Sequence, residues 1–263
     1  MAQENPIIIA NLSLKSAISA GIKIFQMEIN KSRIAVNKIK LSALIFTTAL
    51  SYLYFTGSVD NSLTASDTAA IKKLNIGNQC SDTSTFNKEI YCIKEIQSSL
   101  QATVADYRCP TLGTKIEPME FLQRGYGCCY DRARFIEKTL RSHGFKTRHV
   151  AIFHKHENYG ILSIFVRKIA SHAASEVLTK KGWMGVDSNE QFILLTKSGN
   201  PLTYSKFQEI IEQIAEPKPQ ATLFQHKLIF IYGLYSRHGM FHGWKIPAPE
   251  FVLSELRYNF MPN

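Results

Sequence analysis

The chain has 263 residues, 45% of them hydrophobic, with ordinary Gly and Pro content. That is enough for one substantial domain plus attachments, and it excludes bulk disorder and low-complexity architectures. The formal charge is +10, but the basic residues are spread along the chain without a nucleic-acid motif, which reads as a solvated basic surface and implies no nucleic-acid partner.

Residues 1–40 form a segment carrying Lys15, Lys23, Lys31, Arg33, Lys38 and Lys40 against Glu4 and Glu28. Ile22, Ile24, Phe25 and Ile29 have roughly helical spacing, so part of it is expected as an amphipathic helix. Residues 41–59, Leu41 to Val59, contain no charge. As a helix they would span about 28 Å, close to the hydrocarbon thickness of a bilayer. Lys31, Arg33, Lys38 and Lys40 crowd the N-terminal side, Asp60 opens the other, and Tyr52 and Tyr54 suit the far interface. The expectation is a single-pass transmembrane signal anchor, with residues 1–40 cytoplasmic and the rest extracytoplasmic, in a periplasm or outside the cell. A buried core helix and a cleaved signal peptide are the competing readings.

Residues 60–110 are expected to be a stalk and an N-terminal helical region. The part up to 86 is polar and reads as a stalk or loosely packed lead-in, with a short helical pattern near Ala69 to Leu74. Ile90, Ile93, Ile96 and Leu100 predict a helix over 87–106, ended by Cys109-Pro110. Residues 111–263 are expected to form the main domain. Pro118 to Gln123 predicts a short helix, and Cys129 to about His143 a longer one with Gly144 as its stop. Lys146 to Phe153 reads as a strand, and Ile161 to Val166 as strand or helix. His172 to Thr179, Trp183 to Val186 and Gln191 to Leu195 read as three further strands, separated by Lys180-Lys181-Gly182 and Asp187-Ser188-Asn189 turns. Tyr204 to Ile214 is a predicted helix with Phe207, Ile210 and Ile214 on one face. The tail from Leu223 to Phe260 is aromatic-rich, but its best run is too short to span a membrane.

Five cysteines, Cys80, Cys92, Cys109, Cys128 and Cys129, all follow the uncharged segment. On an oxidising side disulfides are allowed, and an odd count leaves at least one thiol without an intramolecular partner. Cys80–Cys92 with Cys109–Cys128 is one arrangement, leaving Cys129. Sequence does not fix connectivity, and five reduced thiols is the alternative.

The stretch Gly125-Tyr126-Gly127-Cys128-Cys129 opens a helical pattern of Ala133, Ile136 and Leu140. A thiol at a loop-to-helix junction sits beside free backbone N–H groups and the positive end of the helix dipole, where thiolate is favoured. A thiol nucleophile also needs an imidazole to take its proton and a polar group to orient that imidazole. His143, His149, His154, His156, His172, His226, His238 and His242 are all candidates on sequence alone. His154-x-His156 with His149 nearby lacks a Cys or carboxylate at ligand spacing, so a metal site is disfavoured.

Gly127-Cys128-Cys129-Tyr130-Asp131-Arg132-Ala133, the helix to Leu140, Gly144 and Thr147-Arg148-His149-Val150 resemble the first half of the transglutaminase-like core. His172-Ala173-Ala174-Ser175-Glu176-Val177 followed by Gly182-Trp183-Met184-Gly185-Val186-Asp187 resembles its second half, with Ala174 standing where an aromatic is usual. The resemblance covers roughly Pro118 to Leu195. It implies an α+β, papain-like core in which the helix carrying the Cys packs on a small antiparallel sheet. It implies Cys129 as nucleophile, since Ala133 lies four residues on, His172 as base and Asp187 as orienting group. Gln123, six residues before Cys129, is an oxyanion candidate by the related papain-like arrangement. The implied activity is that of a cysteine protease or amidase, or an acyltransferase, acting through a thioester on peptide or protein amides without a cofactor. The alternative is an idle transglutaminase-like module used for binding or assembly. Trp183 is expected to be a packing residue, and Arg148 to pack or pair near the core.

Overall fold

The structure, a computed structural model, describes residues 37–52, 59–76, 80–111, 114, 117–166, 169–207, 209, 222–235 and 250–260. The chain divides into two units, Met1–Tyr54 and Phe55–Asn263. In the first, residues 37–52 form a helix (α1) whose side chains are exposed. Among the described residues no helix is long and apolar enough to cross a membrane. The expected span 41–59 is therefore helical to residue 52, while residues 53–58 lie outside the described residues. The amphipathic pattern around Ile22 to Ile29 also lies outside them.

The second unit is built on a four-stranded antiparallel sheet. Its strands are β1 (Lys146–His154), β2 (Ser171–Thr179), β3 (Gly182–Val186) and β4 (Leu228–Tyr232), in the order β3-β2-β1-β4. Register is set by pairs such as Val150 with Ala174, Ile152 with His172 and Ser175 with Val186. Both faces are covered, so the alternation along β2 does not separate apolar from polar residues. Val177 joins a core with α3 (Phe86–Thr103) and α5 (Cys129–Ser142). Ala174 joins a second core of Val150, Ile152, Phe192, Leu194, Tyr204 and Phe207.

α2 (Ala65–Lys72) begins at a Thr64–Asp67 capping box, in which each residue's side chain accepts from the other's backbone N–H. The short helical pattern expected near Ala69 to Leu74 falls on this helix and its end, and Ala70, Ile71 and Leu74 join the first core. Asp67 is buried and receives Lys138 Nζ of α5 at 2.7 Å. α4 (Pro118–Arg124) starts with proline and stops at Gly125, whose φ of 72° suits a residue without Cβ. α5 stops at His143, before Gly144.

Of the strand or helix expected at Ile161 to Val166, the helical alternative holds, as a 3-10 turn over Gly160–Phe165. Gln191 to Leu195 is not a strand of the sheet. It makes isolated bridges instead, Val186 with Ile193 and Leu195 with Pro201, because the chain doubles back over β3. The tail supplies β4, which pairs with β1, and then β5 (Leu234–Tyr235), β6 (Glu250–Phe251) and α7 (Leu253–Leu256). Of the helix expected from Tyr204 to Ile214, α6 (Tyr204–Phe207) is described; Ile210 and Ile214 lie outside the described residues.

The Cys129–His172–Asp187 candidate site

Gly127 makes the turn before α5 possible, since a Cβ there would lie 2.5 Å from the Phe121 ring. Its N–H donates to the Asp106 carbonyl at 3.1 Å. Cys128 caps the helix, its N–H donating to Asp131 Oδ2 at 3.1 Å, while Asp131 Oδ1 takes Arg124 at 2.8 Å. Cys128 is bridged to Cys109, and Cys80 to Cys92, so Cys129 is the free thiol. The bridge fastens the N-cap of α5 to the segment that follows α3. Cys129 itself is half-buried at the first helical position, against Ala133, Ala173, Tyr235 and Val252.

His172 is the second residue of β2, and Asp187 directly follows β3. Because these strands pair antiparallel, both side chains reach the same end of the sheet. His172 Nε2 bonds Asp187 Oδ2 at 2.7 Å, and both groups are buried. A carboxylate only accepts, so Nε2 carries the proton and Nδ1 is left for another partner. Cys129 interacts with the same imidazole. Burial alone would push the His172 imidazolium to lose its proton at low pH. The Asp187 carboxylate, with Cys129, outweighs this and holds His172 well above the usual 6.5. Burial pushes Asp187 up, but the His172 charge and hydrogen bond bring it below its usual 3.8, helped by the N–H groups of Asn189 and Glu190 on Oδ1.

One buried residue that supports this loop has no motif to announce it. Gln97, in α3, donates through Nε2 to the carbonyls of Asp187 at 2.8 Å and Phe192 at 2.9 Å. Gln101 and Tyr107 donate to Asn189 O at 3.0 and 2.9 Å, and Ser188 Oγ donates to Ala173 O at 2.6 Å. The loop holding Asp187 is thus pinned by α3 and its C-terminal extension. A polar position among the apolar Ile93, Ile96 and Leu100 was the available signal.

The rest of α5 is buried through polar pairs. Glu137 accepts from His149 Nδ1 at 2.7 Å and from Ser175 Oγ at 3.0 Å, and His149 stacks on Tyr235 with centroids 3.7 Å apart. His149 therefore belongs to this inner network and not to a cluster with His154 and His156. Arg148 pairs with Glu176 at 2.6 Å and lies 4.3 Å from the Trp183 ring centroid, which makes Trp183 a packing partner. Gln123 stands exposed on α4. His238 and His242 lie outside the described residues.

Residues 80–188 match the Transglutaminase-like superfamily. This is less than half of the chain, and it contains Cys129, His172 and Asp187. No curated protein matches the chain. Two solved structures resemble it. One, described as a TGase, is 14% identical with a TM-score of 0.31, over 62% of this chain and 42% of that one. The other, from Parabacteroides distasonis ATCC 8503 and described as a candidate protease, is 10% identical with a TM-score of 0.26, over 52% of this chain and 30% of that one. The chain thus spans less than half the length of either, and likenesses this distant say nothing about activity.

Proposed function

We propose that the protein is a cysteine hydrolase acting through a thioester on amide or peptide bonds. The observation that carries this reading is the position of His172, bonded to Asp187 through Nε2 at 2.7 Å and interacting with the free thiol of Cys129. Cys129 Sγ attacks the carbonyl carbon, its proton having passed to His172. The resulting oxyanion lies by the N-terminus of α5, where the first-turn backbone and the helix dipole favour negative charge. Gln123 is the side-chain candidate to reach it when substrate is bound. His172 returns the proton to the leaving amine, and a thioester remains. Water, deprotonated by His172, then attacks the thioester, releasing the carboxylic acid and the Cys129 thiol. An amine in place of water would give transamidation.

Two disulfides fit an oxidising compartment, and with the uncharged segment 41–59 they support an extracytoplasmic domain held by a membrane anchor. Protease cleavage of intact cells or spheroplasts locates the domain. Degradation only after lysis of the inner membrane contradicts that placement.

The chemistry is tested by mixing the full chain with p-nitrophenyl acetate and reading the intact mass. The proposal expects one acetyl group per chain, mapped to Cys129 and released over time, and none on Cys129→Ala. Acetylation that persists in the variant, or that maps to lysines alone, refutes the assignment.

A further inference from the structure

The 3-10 turn over Gly160–Phe165 joins β1 to β2 and carries an unusual surface. Tyr159, Ile161, Leu162 and Phe165 are 52%, 60%, 60% and 64% exposed. This exposure is built in. Ser163 is buried and accepts the His156 N–H at 2.9 Å while donating to Gly160 O at 2.6 Å. Ile164 turns inward against the core of Phe153, Ile169 and Ile229. With Ser163 and Ile164 fixed inside, Ile161, Leu162 and Phe165 are turned outward and stay largely exposed, a short element apolar on its outer side.

The surroundings of this crest are basic. Lys155 and Lys227 are both exposed and leave adjacent strand ends, the Lys155 N–H donating to Lys227 O at 2.8 Å. The rings of His154 and His226 sit beside them, with centroids 4.7 Å apart. Glu157 is the one acidic residue in the sequence from His154 to Val166. An apolar crest carrying an aromatic at each end, rimmed by cations, matches an anionic bilayer surface. The apolar side chains enter the acyl boundary while the cations meet headgroup phosphates. A peptide-binding surface would be expected as a groove, and here the apolar residues protrude.

We infer that the β1–β2 turn is an interfacial membrane-docking element, with a leaflet rich in anionic lipid as its partner. Ile152 pairs with His172, so the crest rises from the hairpin whose return strand carries the candidate base. Docking would hold that end of the sheet at the lipid surface. The inference rests on the exposed crest and its charges and stands whether or not Cys129 is a nucleophile.

The test places a reporter in the turn so that attachment elsewhere in the chain does not contribute. Full-length Leu162→Trp protein is reconstituted in vesicles of phosphatidylcholine with or without phosphatidylglycerol, with the unsubstituted chain as background. The added tryptophan is expected to shift to the blue and to be quenched by brominated acyl chains when phosphatidylglycerol is present. Lys155→Glu/Lys227→Glu in the same background is expected to weaken the lipid contact at least about thirtyfold, two cations being removed from an anionic surface at about 1 kcal/mol each, and so to abolish most of the quenching. Emission that stays at its water-exposed position in both vesicle types overturns the inference. Quenching that is equal without anionic lipid overturns the charge-based choice of partner. A normal far-ultraviolet spectrum of each variant shows that folding is not the cause.

Discussion

His172 is buried between a carboxylate and a thiol, and the two influences on its charge oppose each other. Burial favours the neutral ring, and Asp187 with Cys129 favours the cation and prevails. The contribution of this pair to stability follows from the directions. The raised His172 supports the fold fully below about 6.5 and ceases to as pH climbs through its higher folded value. The lowered Asp187 supports it above 3.8 and ceases to as pH falls through its lower folded value. Asp187→Asn removes the main cause that raises His172 and leaves burial to pull it down. The His172 resonance in a pH-resolved NMR titration is then expected to move to lower pH, with turnover reduced by at least about a hundredfold. A titration that does not move would mean that Asp187 does not set the state of this ring. That Cys129, His172 and Asp187 come together was legible because each lies in a short motif of fixed order. Gln97 stands out only as a polar position among Ile93, Ile96 and Leu100; its partners, carbonyls about ninety residues away along the chain, leave no trace in a side-chain pattern.

At the scale of elements, α3 and α5 do more than fill the core. α3 supports the Asp187 loop through Gln97, and α5 presents Cys129 while its charged residues are buried by pairing. Replacing Gln97 with Leu takes its donor from the buried Asp187 carbonyl, while Phe192 O keeps the Asp187 N–H at 2.9 Å, which should destabilise the protein by about 1–3 kcal/mol in urea unfolding. It should also lower turnover more than it raises KM, because the affected loop carries Asp187. Gln97→Glu, which keeps size but places a carboxyl against carbonyls, should be no better than Leu. Cys109→Ser/Cys128→Ser opens a loop of 19 residues and should cost about 3 kcal/mol, measured as a lower denaturation midpoint. The apolar spacing of Ala133, Ile136 and Leu140 identified α5 as a helix with one buried face. It missed the burial of Arg132, Arg134, Glu137 and Lys138 on the others, because a charged residue is buried only when its partner is at hand, and the partners come from distant segments. The Gln191 to Leu195 run misled for a related reason. Its apolar residues face a core, but they are covered by the chain folding over β3 and not by sheet neighbours.

The second unit is closed by its tail as much as by its central motifs. β4 completes the sheet, and Glu255 of α7 accepts from His149 N–H at 2.7 Å, Arg141 at 2.8 Å and Asn61 at 2.7 Å, binding tail, strand and N-terminal approach at one carboxylate. Burial raises Glu255 to about 7 from its ordinary 4.5. The folded state therefore holds this proton more tightly than the unfolded chain, and stability falls as pH rises between those values, by about 3 kcal/mol for this group. Glu255→Gln should flatten that slope when urea midpoints are compared at pH 5 and 7.5; an unchanged slope would place the titration elsewhere. None of this tail organisation was visible beforehand, since aromatic richness without clear periodicity does not say which strand it will join. The proposed chemistry requires Cys129 and His172 to act as a pair, and alkylation by iodoacetamide at pH 7 under non-reducing conditions, with both disulfides intact, reads that most directly. It predicts rapid modification at Cys129 and at least about tenfold slower modification in His172→Ala. Equal rates in the two proteins would contradict it.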